Sequence, residues 1–472
     1  MHPHDPQGQA SAHAAQTATA LHPDFPAPSP HIPPLQRATE RAQAHIAHWL
    51  HIEAMSGTVL LLAAACALLW ANSPWAASYF ATWHQPVALT LGPWSWQTDL
   101  HFIVNDVLMT IFFLVVGMEI RRELHQGALS QLRLAALPVL AALGGVVVPA
   151  LLYLGLSWGE PAARNGWAIP TATDIAFAVG VLALLGRHIP GPLRIFLLAL
   201  AIIDDIVAVL IIAFFYSGGL AWQGLVVALA GLALVLLFKR MGLASAWAYV
   251  LPGAVLWLGL LYTGAHPTLA GVVLGLMTPV ALRSARAHPL EAAHQALGRV
   301  QGHAEQGRFD AAALHQELRT VERAQRDLLP PVFRLPQLLH PWVAFGVMPL
   351  FALANAGVQL DGVDLSASAP QAVAWGVLLA LVLGKPVGVV LATLLAVRSG
   401  LCALPPGVNL RGVLLVGLLA GIGFTMAIFV AGLAFDDAAL LGAAKLGILA
   451  ASATSAVLGL AYGLLVRHRL AQ

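Results

Sequence analysis

Asp204 and Asp205 stand side by side in LALAIIDDIVAVLIIAFFY, residues 198–216, a run otherwise apolar and long enough to cross a bilayer. A charged side chain at that depth costs about 2.5–3.5 kcal/mol on insertion scales, and two adjacent carboxylates roughly double it before their repulsion is counted. Something positive must neutralise them, and a proton or a metal ion would serve. The pair points to the handling of small cations inside a membrane.

The elements that must hold such a pair follow from composition. Of 472 residues, 59% are hydrophobic and 10% charged, against about 25% charged in a soluble domain. The chain reads as an all-α polytopic membrane protein. A net charge of +2 argues against nucleic acid as a partner, and two cysteines, Cys66 and Cys402, make no disulfide framework. Apolar stretches of membrane length give twelve spans, near 54–72, 100–120, 134–156, 168–185, 192–216, 222–238, 246–262, 267–282, 340–356, 371–396, 412–434 and 441–465. Connections carrying Arg121/Arg122/Arg133, Arg187/Arg194, Lys239/Arg240, the segment 283–339 and Arg398/Arg411 alternate with connections nearly free of Lys and Arg. The basic set is expected inside, which puts both termini in the cytoplasm.

Outside the spans, residues 1–52 read as a disordered His/Pro-rich tail followed by a juxtamembrane helix, with eight of the 19 histidines in the first 51 residues. That tail lacks the basic-then-apolar pattern of a signal peptide. Residues 53–466 form the transmembrane domain and 467–472 the cytoplasmic C-terminus. Alternation about Gly92-Pro93 predicts a small external β-hairpin within 85–99. Mixed charges and helix formers predict a cytoplasmic helical insertion over 284–335, either a solvated linker or a regulatory element.

Span four opens GWAIPTATDIAFAVG and span eleven contains GLLAGIGFTMAIFVAG. Both put Gly, Pro or Thr and polar residues near the bilayer midplane, where unpaired backbone is tolerated only if it lines a cavity or is buried in protein. These segments, with LALAIIDD, HPTLAGV, HPWVAF, LFALANAGV and GKPVG in the same order, resemble the NhaA family of sodium/proton antiporters. The resemblance runs from about residue 53 to 466 and includes MSGTVLLLAA and VGMEIRRELHQG.

The resemblance implies a transporter, not an enzyme, that exports sodium or lithium for entering protons, electrogenically, with no cofactor. Asp205 resembles the principal carboxylate that binds the cation, and Asp204 its neighbour, paired with Lys385 of span ten. Thr173 and Asp174 occupy the unwound part of span four. Inverted repeats with spans four and eleven crossing as broken helices are implied, as is a homodimer held partly by the external hairpin. Carboxylates, the Thr173 hydroxyl and freed carbonyls are hard ligands suited to sodium. Burial disfavours the charged carboxylate, so protons and sodium would compete for Asp204 and Asp205. Crossed broken helices also bring two N-termini together, each worth about half a positive charge. Asp174 could neutralise these and Lys385 the opposite ends, or both residues could be structural compensators alone.

Two departures from the family pattern stand out. Pro336 and Gln337 occupy the acidic and histidine positions associated with pH response, leaving His340, which puts strong alkaline activation in question. IVAV follows the aspartate pair where Leu-Gly-Ala-Ile is usual. Asp106 in span two lines a funnel or makes a packing hydrogen bond. Glu119 and Arg122 form a local ion pair or attract cations, and His266 caps the loop before Pro267 or modulates transport. Rival readings are an intramembrane aspartyl protease, which would pair Asp174 with Asp204 on different spans, and a sodium-coupled organic-anion symporter.

Overall fold

In a computed structural model, residues 53–91, 94–186, 189–219, 221–243, 246–280, 289–305, 311–328, 330–405 and 407–470 are described. The expected tail and juxtamembrane helix, and the Gly92-Pro93 turn tip, lie outside them. The described chain is almost wholly helical, with a single two-stranded sheet among the described residues. Among the described residues, eight helices are long and apolar enough to span: Leu100–Gln126, Ala135–Leu156, Gly191–Phe215, Trp222–Arg240, Ala246–Thr263, Pro331–Asn355, Ser368–Arg398 and Ala438–Val466. Three bent pairs bring the count to 11: Met55–Ala71 with Ala76–Trp83, Pro161–Thr171 with Ile175–Leu184, and Leu410–Ala420 with Phe424–Ala434. The remaining expected span, the eighth, at 267–282, is represented by Leu269–Met277, nine residues and too short to cross alone. Helix formation there starts behind Pro267-Thr268 and stops at Thr278, whose backbone is extended.

The first bend, 118°, turns Ala76–Trp83 away from span one. Tyr79 fixes it, its buried hydroxyl donating to the Leu353 carbonyl at 2.8 Å and accepting from the Gly357 amide at 3.2 Å. The hairpin pairs β1 (Pro86–Leu91) with β2 (Trp94–Asp99), antiparallel, with Leu89 opposite Trp96. Pro86 takes the first position of its strand, where no ladder amide is lost. Asp99 ends β2 and caps span two, accepting from the Phe102 amide at 2.8 Å.

Span five, which carries the aspartate pair, packs against span three, and span three against span ten. Spans three and ten approach closely because Gly144 meets Gly388, where a Cβ would run into the facing carbonyl. Three spans loosen into a wider, π-type turn: Ile103–Leu108, Val343–Val347 and Ala380–Gly384. The last two run directly into Met348-Pro349 and Lys385-Pro386. Proline cannot donate to the turn behind it and clashes with the carbonyl four residues back, and an extra residue per turn accommodates it. In the segment between spans eight and nine, Pro289–Glu305 packs against Ala311–Leu328, and Arg299 clamps Glu317 with two hydrogen bonds of 2.8 and 2.9 Å.

Candidate functional site

Span four breaks over Ala172–Asp174, where the backbone is extended, and its halves meet at 51°. Span eleven breaks at Gly421–Gly423, with a 48° bend. The two breaks touch. The Asp174 amide donates to the Ile422 carbonyl at 2.8 Å, and the Thr173 hydroxyl lies 3.0 Å from the Ala420 carbonyl. Glycine is required at this crossing, since a Cβ on Gly421 would sit 2.6 Å from the Leu381 carbonyl oxygen.

A helix start leaves amides without intrahelical partners, and here two starts converge on Asp174. Its Oδ1 accepts from the Phe177 amide at 3.0 Å, capping Ile175–Leu184. Its Oδ2 accepts from the Thr425 amide at 3.1 Å and from the Thr425 hydroxyl, at the start of Phe424–Ala434. Two partial positive charges therefore face one carboxylate that is 1% exposed. At the opposite ends, Lys385 Nζ donates to the Thr171 carbonyl at 2.6 Å, the last residue of Pro161–Thr171.

Lys385 also pairs with Asp204 Oδ2 at 2.9 Å, and both side chains are 0% exposed. Thr173 donates to the same oxygen at 2.7 Å. A hydroxyl has one proton, so Thr173 can serve Asp204 or Ala420 at one moment, not both. Asp205 is 2% exposed on the same helix. Asp204 Oδ1 and Asp205 Oδ1 are buried with no hydrogen-bond partner. Unpaired buried oxygens are costly, and a cation or proton would satisfy them.

The sequence-predicted residues thus divide. Asp174, Thr173, Asp204, Asp205 and Lys385 come together at the crossing. Glu119 stands within electrostatic reach of both Asp205 and Arg122, and Arg122 also pairs with Glu123, at 3.6 Å. Asp106 lies in the widened turn of span two, with Oδ1 3.6 Å from His266 Nε2. His266 also places Nδ1 2.7 Å from Thr268 Oγ1 across Pro267, and its ring stands edge-on to Phe429 at 5.2 Å. His340 is exposed, apart from this cluster. No group of three or more His, Cys, Asp or Glu able to hold a metal occurs among the described residues. Any cation here must draw on hydroxyl and carbonyl oxygens beside the two aspartates. Thr425 and Ser452, whose Oγ accepts from the Phe424 amide at 3.1 Å, were not singled out by sequence. Thr425 could have been, as the one polar residue of GFTMAIF.

Broken spans whose half-helix ends meet at buried carboxylates are the construction of secondary transporters, a generalisation that itself draws on the family resembled above. This protein is a secondary transporter. The profile of the family described as "Na+/H+ antiporter 1" matches residues 47–462, and the chain belongs to that family. It is 64% identical over 436 residues to the "Na(+)/H(+) antiporter NhaA" of Janthinobacterium sp. (strain Marseille), covering 92% of this chain and 96% of the relative. It is 61% identical over 433 residues to "Na(+)/H(+) antiporter NhaA 2" of Pseudomonas putida (strain KT2440), covering 92% and 95%. The Bordetella petrii "Na(+)/H(+) antiporter NhaA" is 60% identical over 441 residues, covering 93% and 94%.

Proposed function

We propose that the protein exports sodium, or lithium, in exchange for protons at Asp204 and Asp205. The observation that carries this reading is the pair of unpartnered, buried oxygens, Asp204 Oδ1 and Asp205 Oδ1, beside the crossed breaks. Two carboxylates in a dry site tolerate each other only when neutralised. Either protons or the cation can neutralise them, and one displaces the other. Asp205 is the main ligand, with Asp204, the Thr173 hydroxyl and carbonyls freed by the breaks completing a hard-oxygen set. Lys385 holds Asp204 and the Thr171 carbonyl, and Asp174 holds the two helix starts together. Asp106, Glu119, Arg122, His266 and His340 act secondarily, in access or modulation.

Alternating access turns the competition into coupled exchange. The two carboxylates can carry two protons inward, while one sodium ion carries one charge outward, so the cycle moves net charge. The setting is the inner membrane of a bacterium, with both termini cytoplasmic. A homodimer is supported by the external hairpin, whose two-stranded sheet leaves each strand an open edge.

The test uses everted membrane vesicles in which a pH-sensitive dye reports proton movement on adding sodium, lithium or potassium. Sodium and lithium should drive proton efflux and potassium should not. Asp205→Asn should abolish the response. Undiminished exchange in that variant removes the mechanism, and sodium uptake without proton countermovement would favour a symporter.

A further inference from the structure

The break in span eleven exposes amides that its own helix cannot satisfy. Asp174 takes the Thr425 amide, but the Phe424 amide goes to Ser452 Oγ, on span twelve. Span twelve packs along both halves of span eleven. Ser452 is 3% exposed, so water is no substitute acceptor. Thr454, two residues on, shows what a hydroxyl ordinarily does in a helix, bonding back to the Ala450 carbonyl at 2.7 Å. Ser455, one turn along on the same face, is equally buried but its Oγ has no partner, and a Cβ on Gly421 would lie 2.7 Å from it. Two hydroxyls of span twelve thus flank the break, and one of them grips it.

We infer that Ser452 is a positioning residue for the cation site. By holding the Phe424 amide it sets the register in which span eleven leaves its break. That register aims Thr425 at Asp174 and the Ala420 carbonyl at Thr173, and through Thr173 it governs the oxygens around Asp204. Ser452 touches neither cation nor aspartate, so its effect is on how well the site binds rather than on whether it turns over. The inference rests on the exchange reading above.

The experiment compares Ser452→Ala, Ser452→Thr and Ser455→Ala with the parent in the vesicle assay, at equal protein and fixed pH. Losing one buried hydrogen bond that leaves its amide unsatisfied should raise the half-saturating sodium concentration about tenfold, with the maximal rate within about threefold. Ser452→Thr keeps the acceptor and should lie within about threefold of the parent. Ser455→Ala, which removes an unpaired hydroxyl, should stay within about twofold. An unchanged half-saturation in Ser452→Ala overturns the inference, as does an equal shift in Ser455→Ala, or failure of threonine to restore it. Should Ser452→Ala not accumulate, Ser452→Cys keeps the volume and weakens the acceptor, and an unshifted value there overturns the inference as well. An inactive parent would instead strike the exchange reading, so the two failures stay distinguishable.

Discussion

The ion pair between Lys385 and Asp204 permits a sharp test, because each partner is fully buried and their charged atoms are 2.9 Å apart. Removing one member of such a pair leaves an uncompensated charge and costs about 3–5 kcal/mol, whereas replacing both is often close to neutral. The survivor can also limit the loss by changing its protonation. An aspartate with an ordinary pKa near 3.9 takes up a proton at pH 7 for about 1.36 kcal/mol per pH unit, or about 4 kcal/mol. A lysine near 10.4 releases one for about 5 kcal/mol. Lys385→Met and Asp204→Asn should therefore each destabilise by about 3–5 kcal/mol, and the double variant by no more than about 2 kcal/mol. The coupling energy is then at least about 4 kcal/mol, well above the few tenths expected of independent sites.

Thermal unfolding of the parent and the three variants in detergent micelles measures the coupling. A coupling energy below about 1 kcal/mol would refute the claim that these two charges sustain each other.

Thr173→Val keeps the shape of the side chain and removes the donor to Asp204. A hydrogen bond to a charged group contributes about 1.5–3 kcal/mol, so half-saturating sodium should rise by one to two orders of magnitude in the vesicle assay. A rise under threefold would exclude the hydroxyl from the site. At the start of span two, Asp99 is partly buried, which pushes its carboxyl up, but the Phe102 amide, His84 and His101 pull further, and the net result is below the ordinary 3.8. Its folded form thus favours the charged carboxylate, and the stability this contributes is present above about pH 4 and lost as pH falls through the depressed native value. Asp99→Ala should cost about 1 kcal/mol as a lost helix cap and speed amide exchange at Leu100–Phe102, and unchanged exchange there would show that the cap is not needed.

The sequence was informative where residues break a rule. Carboxylates in an apolar run, a proline and two glycines at midplane depth, and a lysine in span ten are each unfavourable alone, so their presence requires compensating partners. Asp174, Asp204, Asp205 and Lys385 meet at one crossing for that reason. Residues that obey the rules carried no such signal. Ser452 is a small polar residue in an apolar helix, a type as common in packing interfaces as in sites, and only coordinates show which amide it takes. Glu119 and Arg122 sit three residues apart, the spacing of a helical ion pair, and feel each other's charge, but the 3.6 Å contact of Arg122 is with its neighbour Glu123. Hydropathy counted 267–282 as a full span because it reads apolarity and not helix continuity. The structure gives nine helical residues there, bounded by Thr268 and Thr278. Apolar character thus predicts which residues lie in the bilayer, and the unfavourable ones predict which must meet. The hydrogen bonds that decide how they meet depend on geometry between spans distant in sequence, as with Phe424 and Ser452, 28 residues apart.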